Sequence, residues 1–288
     1  MILKKDLSAL LIYSKEDIKK NKWFSGRLAD TAVAFGVGLK LLTADDCRAE
    51  YMKDQSLADG APAFVINRSR YADISEWFEK KDIASFNNSR TIRIGNDKLA
   101  EYELFKKLEL PVMRTVPGDT SYEDIPFGFP MIVKSRTGHG GSEVFRTDSR
   151  AELEKIMEGK DPGDFIFQEM CDEPGKDMRV YVLGGKINAS VLRSSDIDFR
   201  SNFSLGGNAE LTEADEEIQG YVRTLVSELD PDYIGIDFIR HGGAWVVNEI
   251  EDAVGARMLY KLTDLDIAQM YMCHICEKSF QNPKNAIK

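Results

Sequence analysis

The chain has 288 residues, 43% of them hydrophobic and 30% charged, which predicts a globular protein of about two domains. Asp and Glu outnumber Lys and Arg by 48 to 38, and the resulting formal net charge of −10 disfavours a protein that binds nucleic acid by charge alone. The apolar run over 7–13 is much shorter than the ~20 residues that cross a bilayer, so we expect neither a secretory signal nor a membrane anchor.

The cysteines are few and scattered: Cys47, Cys171, Cys273 and Cys276. They cannot cross-link a chain of this length, so we expect a reducing, cytoplasmic location. Cys273 and Cys276 form a Cys-x-x-Cys in a predicted C-terminal helix over 267–280. No second cysteine pair for zinc accompanies them, so helix packing is favoured over a redox or metal-binding role.

The first 93 residues alternate strand-like and helix-like segments. The predicted order is strand 8–13, helix 26–35, strand 40–43 and strand 63–67. Such alternation favours a small α/β domain built on a parallel sheet. We therefore predict a first domain over residues 1–93.

A second unit is predicted over residues 94–170. It opens with a helix over 96–108 that Asn96 or Asp97 caps. Its apolar face is predicted from a regular spacing of four side chains: Leu99, Tyr102, Phe105 and Leu108. The segments that follow are strand 131–133, a Gly-rich loop over 137–142, helix 150–157 and strand 165–167.

The last unit is predicted over residues 171–288. It contains two strand pairs, 179–183 with 186–192 and 233–239 with 244–250, and a helix over 215–229 between them. Gly184-Gly185 is a strong signal for a two-residue hairpin turn. Because no low-complexity linker separates the three units, we expect them to pack closely with the functional site between them.

Three carboxylates lie near the end of the chain. Asp237 interrupts an apolar strand, where a charge is costly unless a cation meets it. Glu249 and Glu251 point to one face of the next strand because side chains alternate. If the two strands pair, the carboxylates could converge, and one or two divalent cations would relieve their repulsion. An exposed acidic strand end is the alternative.

Phosphate-binding groups are predicted upstream. The Gly-rich segment 135–142 follows a strand, and its glycines let backbone N–H groups turn toward an anion. The pattern Gly-x-x-x-x-Gly-Lys-Ser/Thr is absent, which excludes P-loop nucleotidases. Lys134 ends that strand, and Lys98 lies in the first turn of a helix, where the macrodipole disfavours a cation unless an anion is bound. An ordinary turn and solvated lysines are the alternatives.

Taken in order, these segments resemble the ATP-grasp superfamily, and within it the RimK-like carboxylate–amine ligases. The most specific stretch is Asp177-Met178-Arg179, then Gly184-Gly185, Asp198-Phe199-Arg200-Ser201-Asn202 and Gly206-Gly207. The resemblance implies an α/β protein with α+β character in its ligase part. In the ATP-grasp fold, two α+β subdomains clasp ATP, and here a small Rossmann-like domain would precede them.

The resemblance also implies roles for individual residues. ATP would be bound by Lys98, Lys134, Thr137, Gly138, Gly140, Gly141, Gln168, Glu169, Met170, Cys171, Asp177, Arg200, Ser201 and Asn202. Arg200 and Lys134 would act in catalysis, and Arg193, on the strand that leads to Arg200, is a further candidate. One or two magnesium or manganese ions would be held by Asp237, Glu249 and Glu251. The family usually has asparagine where this chain has Glu251.

The implied function is an ATP-dependent ligase that forms an amide through an acyl phosphate and releases ADP and phosphate. Its partners would be a small carboxylic acid or amino acid and an amine from an amino acid, peptide or protein terminus; self-association stays open. Asn67-Arg68 and Arg257 are candidate anchors for a substrate carboxylate. The alternatives are a catalytically silent ATP-binding regulatory module and an ATP-dependent kinase of a small carboxylic acid.

Overall fold

Three β-sheets organise the part of the chain that the computed structural model describes, residues 7–53, 57, 60–138, 143–195 and 208–281. Each sheet lies within one of the three predicted units, whose boundaries stay predictions. Among the helices of these residues, none has the length and apolar character needed to cross a bilayer.

The first sheet is parallel and has the strand order β2-β1-β3-β4. Its strands are β1 (Leu7–Tyr13), β2 (Val37–Thr43), β3 (Val65–Arg68) and β4 (Ser85–Phe86). Its helices are α1 (Asp17–Lys20), α2 (Lys22–Ala34), α3 (Ala44–Cys47), which continues into a π-helical turn (Arg48–Met52), and α4 (Ala72–Glu79). The central strand β1 is buried on both faces, which explains its unbroken apolar run. The predicted parallel α/β layer is confirmed.

Two helices, α5 (Ser89–Ile94) and α6 (Lys98–Lys107), lead to the second sheet. This sheet is antiparallel, with the order β5-β8-β6-β7. Its strands are β5 (Thr115–Pro117), β6 (Met131–Ser135), β7 (Val144–Thr147) and β8 (Phe165–Glu169), and α7 (Arg150–Met157) connects β7 to β8. Leu153 of α7 packs against Met131 and Val133, so this sheet has a small core of its own.

The third sheet is antiparallel and has the order β11-β10-β9-β12-β13. Its strands are β9 (Lys176–Leu183), β10 (Lys186–Ser194), β11 (Asn208–Thr212), β12 (Tyr233–His241) and β13 (Ala244–Glu251). Both predicted strand pairs are present, and Gly184 and Gly185 turn between β9 and β10 with φ of 58° and 74°. The helix α8 (Glu216–Leu229) packs on one face, and α9 (Arg257–Leu262) and α10 (Ile267–Gln281) pack on the other.

The first and third sheets share one hydrophobic core. Leu11 and Phe24 of the first unit belong to the same buried cluster as Tyr271 and Ile275 of α10. Asn87, directly after β4, reinforces the junction, because its Nδ2 donates to the carbonyl oxygens of Tyr233 and Asp252, and its Oδ1 accepts from the backbone N–H groups of Asp232 and Tyr233. The first and third sheets are therefore joined by buried apolar contacts and by hydrogen bonds.

Candidate active site

A cavity of about 140 Å³ lies where the three sheets meet. Many of the residues predicted from the sequence line it: Lys98, Lys134, Gly138, Gln168, Glu169, Met170, Cys171, Asp177, Asp237, Glu249 and Glu251. Thr137 is exposed and does not line the cavity. Lysines and carboxylates that are far apart in sequence thus border one space.

Some predicted residues lie outside the described residues. They are Gly140 and Gly141 of the Gly-rich loop, and Arg200, Ser201 and Asn202 of the segment after β10. Their predicted roles stay predictions. Arg193 is described, but it lies behind the cavity wall, where its Nε donates to Asp177 Oδ1 at 2.6 Å.

Lys134 is a buried cation at the centre of the site. Only 9% of its surface is exposed, and its Nζ donates to Asn248 Oδ1 at 3.3 Å. Burial lowers the pKa of Lys134, since the ammonium loses its hydration, although Glu249 and Glu101 partly oppose this effect. Within the described residues Lys134 has no ion pair within 4 Å. Such an ammonium would be stabilised by an anionic ligand.

Lys98 reaches the same cavity from the first turn of α6. Asp97 caps this helix, because its side chain accepts from the backbone N–H of Leu99. The cap fixes where the helix begins and so places Lys98 in its first turn. The Lys98 Nζ donates to the carbonyl oxygen of Gly138 at 2.6 Å. This contact joins the helix to the beginning of the Gly-rich loop, and the predicted phosphate-binding role of Lys98 stays a prediction.

The end of β8 forms another wall. Gln168 is buried and its Nε2 donates to Thr115 Oγ1 at 3.1 Å. Glu169 pairs with Arg114, whose Nε lies 2.8 Å from Glu169 Oε2. The hydrogen bonds from Arg114 lower the pKa of Glu169, so this carboxylate stays ionised. Both side chains are held by β5 and the residue before it, so Thr115 and Arg114 fix this wall of the cavity.

Asp237 lies at the centre of a buried ionic network. Arg179 Nε donates to its Oδ1 and Arg179 Nη2 to its Oδ2, both at 2.6 Å, and Arg193 Nη2 donates to Oδ2 at 2.7 Å. Burial would raise the pKa of Asp237, but the two guanidinium groups outweigh it and lower that pKa to about 2. The prediction that Asp237 needs a cationic partner is confirmed, and the partners are Arg179 of β9 and Arg193 of β10.

Glu251 belongs to the same network, whereas Glu249 does not. The Nη1 of Arg179 donates to Glu251 Oε2 at 3.0 Å. Glu249 lies opposite Asp237 in the β12–β13 register, and it has neither a hydrogen bond nor an ion pair within the described part of the chain. The register shifts by one residue next to this pair, because Phe238 pairs with Val247 and Asn248 is left without a partner in β12. The Asn248 amide lies near Lys134.

The predicted cluster of three carboxylates around a metal is not assembled in this structure. No group of three or more His, Cys, Asp or Glu side chains that could hold a metal ion occurs among the described residues. The three carboxylates share the cavity, and Arg179 pairs with two of them, Asp237 and Glu251. Glu249 alone of the three keeps its oxygens clear of arginine, so its predicted role as a metal ligand fits best.

The candidate substrate anchors are not at the cavity. Arg68 is 2% exposed, and it donates to Tyr13 Oη at 2.9 Å and to the Val254 carbonyl at 2.7 Å. Asn67 is equally buried and bonds to Ser75. Arg257 is exposed but does not line the cavity. The expectation that Arg68 meets a substrate is therefore wrong, because its donors serve the domain junction.

Glu101 and Arg70 are two of the cavity residues that sequence reasoning missed. Glu101 of α6 is 3% exposed, and its Oε1 accepts from the backbone N–H of Ile250 at 2.6 Å. The predicted apolar face of α6 placed Leu99 and Tyr102 inside, but Glu101 is the buried residue of that turn. Arg70, two residues after β3, is the second. Arg70 could have been found from its position just after a parallel strand, but Arg68, at the end of that strand, was predicted as the substrate anchor instead.

Comparison with known proteins decides the family. Residues 110–275 match the model of the RimK-like ATP-grasp domain. The chain belongs to the RimK-like ATP-grasp family. A Mycoplasma pneumoniae protein described as an uncharacterized MG011 homolog is 28% identical over 269 residues, covering 92% of this chain and 91% of its own. A probable alpha-L-glutamate ligase of Maridesulfovibrio salexigens is 29% identical over 220 residues, covering 73% of each.

A solved structure shows the same fold. The ATP-grasp ligase PsnB, in complex with a variant of its minimal precursor, Mg and ADP, superposes with a TM-score of 0.68 at 17% identity, covering 96% of this chain and 100% of its own. The predicted family, the mixed ATP-grasp fold and the ligase kind of enzyme are confirmed. The Rossmann-like character of the first domain stays a prediction.

Proposed function

We propose that this RimK-like chain is an ATP-dependent carboxylate–amine ligase that releases ADP and phosphate. The observation that carries the proposal is Lys134, a buried ammonium facing a cavity that also contains Lys98 and Glu249. A triphosphate would supply the anion that Lys134 lacks in the described structure. The family and its relatives named as ligases support the same assignment.

Amide formation needs activation because a carboxylate oxygen is a poor leaving group. In the proposed reaction a carboxylate oxygen attacks the γ-phosphorus of ATP, the bond to the β–γ bridging oxygen breaks, and ADP leaves. The amine nitrogen then attacks the acyl carbon, phosphate departs with the bonding electron pair, and the amine loses a proton. No covalent bond to the protein forms in either step.

The residues of the chain act by position and charge. Lys134 and Lys98 would offset charge on the transferring phosphoryl group, as preorganised cations do in phosphoryl transfer. Residues 168–171 would border the adenine and Asp177 the ribose, and Arg200 would act at the phosphate end. Water exclusion by the buried cavity would protect the acyl phosphate from hydrolysis.

Magnesium fits this cavity only in part. When bound with a nucleotide, the ion would neutralise phosphate charge. Glu249 would hold it through oxygens that no arginine occupies, and manganese would bind the same oxygens. Asp237 would join as a ligand only after Arg179 and Arg193 release it, and Glu251 only after Arg179 does.

Phosphate release tests the function. Purified protein is incubated with ATP, magnesium and pairs of acids and amines, beginning with L-glutamate as the amine because curated relatives are named alpha-L-glutamate ligases. A ligase releases ADP and phosphate only when both partners are present. A kinase consumes ATP with the acid alone, and a silent module binds ATP without turnover.

A Lys134 variant tests the observation behind the proposal. Lys134→Gln should weaken ATP binding by about 10- to 100-fold, since a charged hydrogen bond contributes about 1.5–3 kcal/mol. Lys155→Gln, at an exposed position of α7, is the matched control and should bind as the unmodified chain does. Isothermal titration calorimetry measures both, and equal affinities would remove Lys134 from the site.

A further inference from the structure

Arg70 brings a charged side chain from the first domain to the cavity wall. It follows β3 at the carboxyl edge of a parallel sheet, where loops of α/β proteins hold their ligands. Its φ is 71°, in the left-handed region that residues other than glycine seldom adopt. Such a conformation persists only where its surroundings hold it, and it is concentrated at ligand sites.

Three carboxylates surround the Arg70 guanidinium. Its Nε donates to Asp17 Oδ2 at 3.1 Å, and its Nη1 lies 3.9 Å from Asp252 Oδ1, which is an ion pair too long for a hydrogen bond. Glu251 on β13 is the third carboxylate that attracts the guanidinium. These partners hold the guanidinium in a fixed place, while 18% of the side chain stays exposed.

We infer that Arg70 binds a carboxylate of the acid or of the amine substrate, an inference that rests on the proposed ligase function. Arginine grips a carboxylate through two parallel N–H donors, which a lysine cannot reproduce. Asp17 fixes the Nε side of the guanidinium, so its orientation is set before the ligand arrives. The first domain thereby contributes a substrate-binding residue to a cavity whose nucleotide-facing residues come from the other two units.

The competing explanation is that Arg70 only neutralises Asp17 and Asp252. Two variants separate the explanations. Arg70→Ala removes both charge and donors, whereas Arg70→Lys keeps a cation beside both carboxylates and removes the paired donors. Arg48→Ala is the control, since Arg48 belongs to the same domain but pairs with Asp73 outside the cavity.

Steady-state kinetics with the acid–amine pair that supports phosphate release is the test. Both Arg70 variants should raise KM for one of the two substrates by about 10- to 100-fold, the effect of losing charged hydrogen bonds. KM for ATP should change less than about twofold in Arg70→Lys. An increase in KM for the acid assigns the carboxylate to the acid. An increase in KM for the amine assigns it there, and an amine whose carboxylate is converted to an amide should then be used equally poorly with or without Arg70.

Other results overturn the inference. Restoration of every kinetic constant and of the melting temperature by Arg70→Lys shows that Arg70 is a structural counter-ion. Unchanged KM values for acid and amine in Arg70→Ala exclude substrate contact. Should no pair release phosphate, calorimetry with L-glutamate is run on the protein saturated with ADP and magnesium. Glutamate binding of equal affinity in the unmodified protein and in Arg70→Ala rejects Arg70 as an anchor, whereas failure to bind ADP rejects the proposed function itself.

Discussion

Glu101 joins the first helix of the ligase part to the strand that carries the predicted metal ligands. β13 is an edge strand of its sheet among the described residues, and on its outer side Val247 makes only an isolated bridge with Val112. The Glu101 carboxylate accepts the Ile250 N–H on that strand, between Glu249 and Glu251. Burial, and then the charge of Glu249, raise the pKa of Glu101 well above its usual value. The residue therefore couples α6 to the position of Glu249.

Changing Glu101 should separate its hydrogen bond from its charge. Glu101→Gln keeps an oxygen for the Ile250 N–H and removes the repulsion with Glu249, so we expect nearly normal stability. Glu101→Ala leaves a buried N–H without an acceptor and should lower the free energy of unfolding by about 1–3 kcal/mol. Urea denaturation measures both effects, with Glu103→Gln, exposed on the same helix, as control. Equal stabilities of the Ala and Gln variants would contradict this account.

Single residues also show where sequence reasoning ends. The need of Asp237 for a cation followed from an apolar strand, but which arginine meets it depends on the pairing of β9 with β12, a contact between distant segments. Arg68 and Arg70 are equally plausible anchors in sequence. Only the fold buries Arg68 against Tyr13 and turns Arg70 to the cavity.

Gly235 of β12 lies against Val254, in the loop that follows β13. A Cβ at this position would lie 2.8 Å from Val254 Cγ2 and 3.3 Å from Arg179 Cδ. Val254 is fully buried and its branched side chain has little freedom to move. A glycine is therefore needed where the strand meets the loop after β13.

Gly235→Ala should destabilise the protein by about 1–3 kcal/mol, the usual cost of overpacking a core. Gly220→Ala is the opposite control, because a Cβ in the middle of α8 meets nothing closer than 3.8 Å and alanine favours a helix by about 1 kcal/mol. Thermal unfolding followed by circular dichroism compares the two. A Gly235→Ala variant as stable as the unmodified chain would show that the loop shifts freely.

Long, periodic elements were predictable and short ones were not. The strand β1, the helix α8 and both strand pairs of the third sheet carry clear apolar patterns and turn glycines. The strands β4 and β5 have two and three residues, too few for any period to appear. Their pairing comes from neighbours that the fold brings alongside.

At the scale of the molecule, Asn87 fastens the first domain to the third sheet. Its amide is fully used, with two donated and two accepted hydrogen bonds to the backbone at 232, 233 and 252. Asn87→Ala leaves these buried groups without partners, and we expect a loss of several kcal/mol at about 1–3 kcal/mol for each group. Asn21→Ala, which removes a local bond to the Asp17 carbonyl, should cost much less. Urea denaturation tests the ranking.

The buried ionic network should make stability fall in acid. Because arginines depress the native pKa of Asp237 from 3.8 to about 2, this carboxylate contributes stability that is present above about pH 4 and lost as the pH falls through 2. The contribution is about 2 kcal/mol at ~1.4 kcal/mol per pH unit. Asp237→Asn should lower stability at pH 7 and flatten its pH dependence between 5 and 2. Parallel curves for the two proteins would contradict the network.

The core that contains Leu11 and Phe24 together with Tyr271 and Ile275 can form only after both ends of the chain have been synthesised. A ribosome makes the first domain long before it releases α10, and until then the apolar face of α2 lacks its cover. The nascent first domain should therefore depend on chaperones or stay partly open until the last helix emerges. A truncated gene that ends before α10 would leave that face permanently bare and favour aggregation.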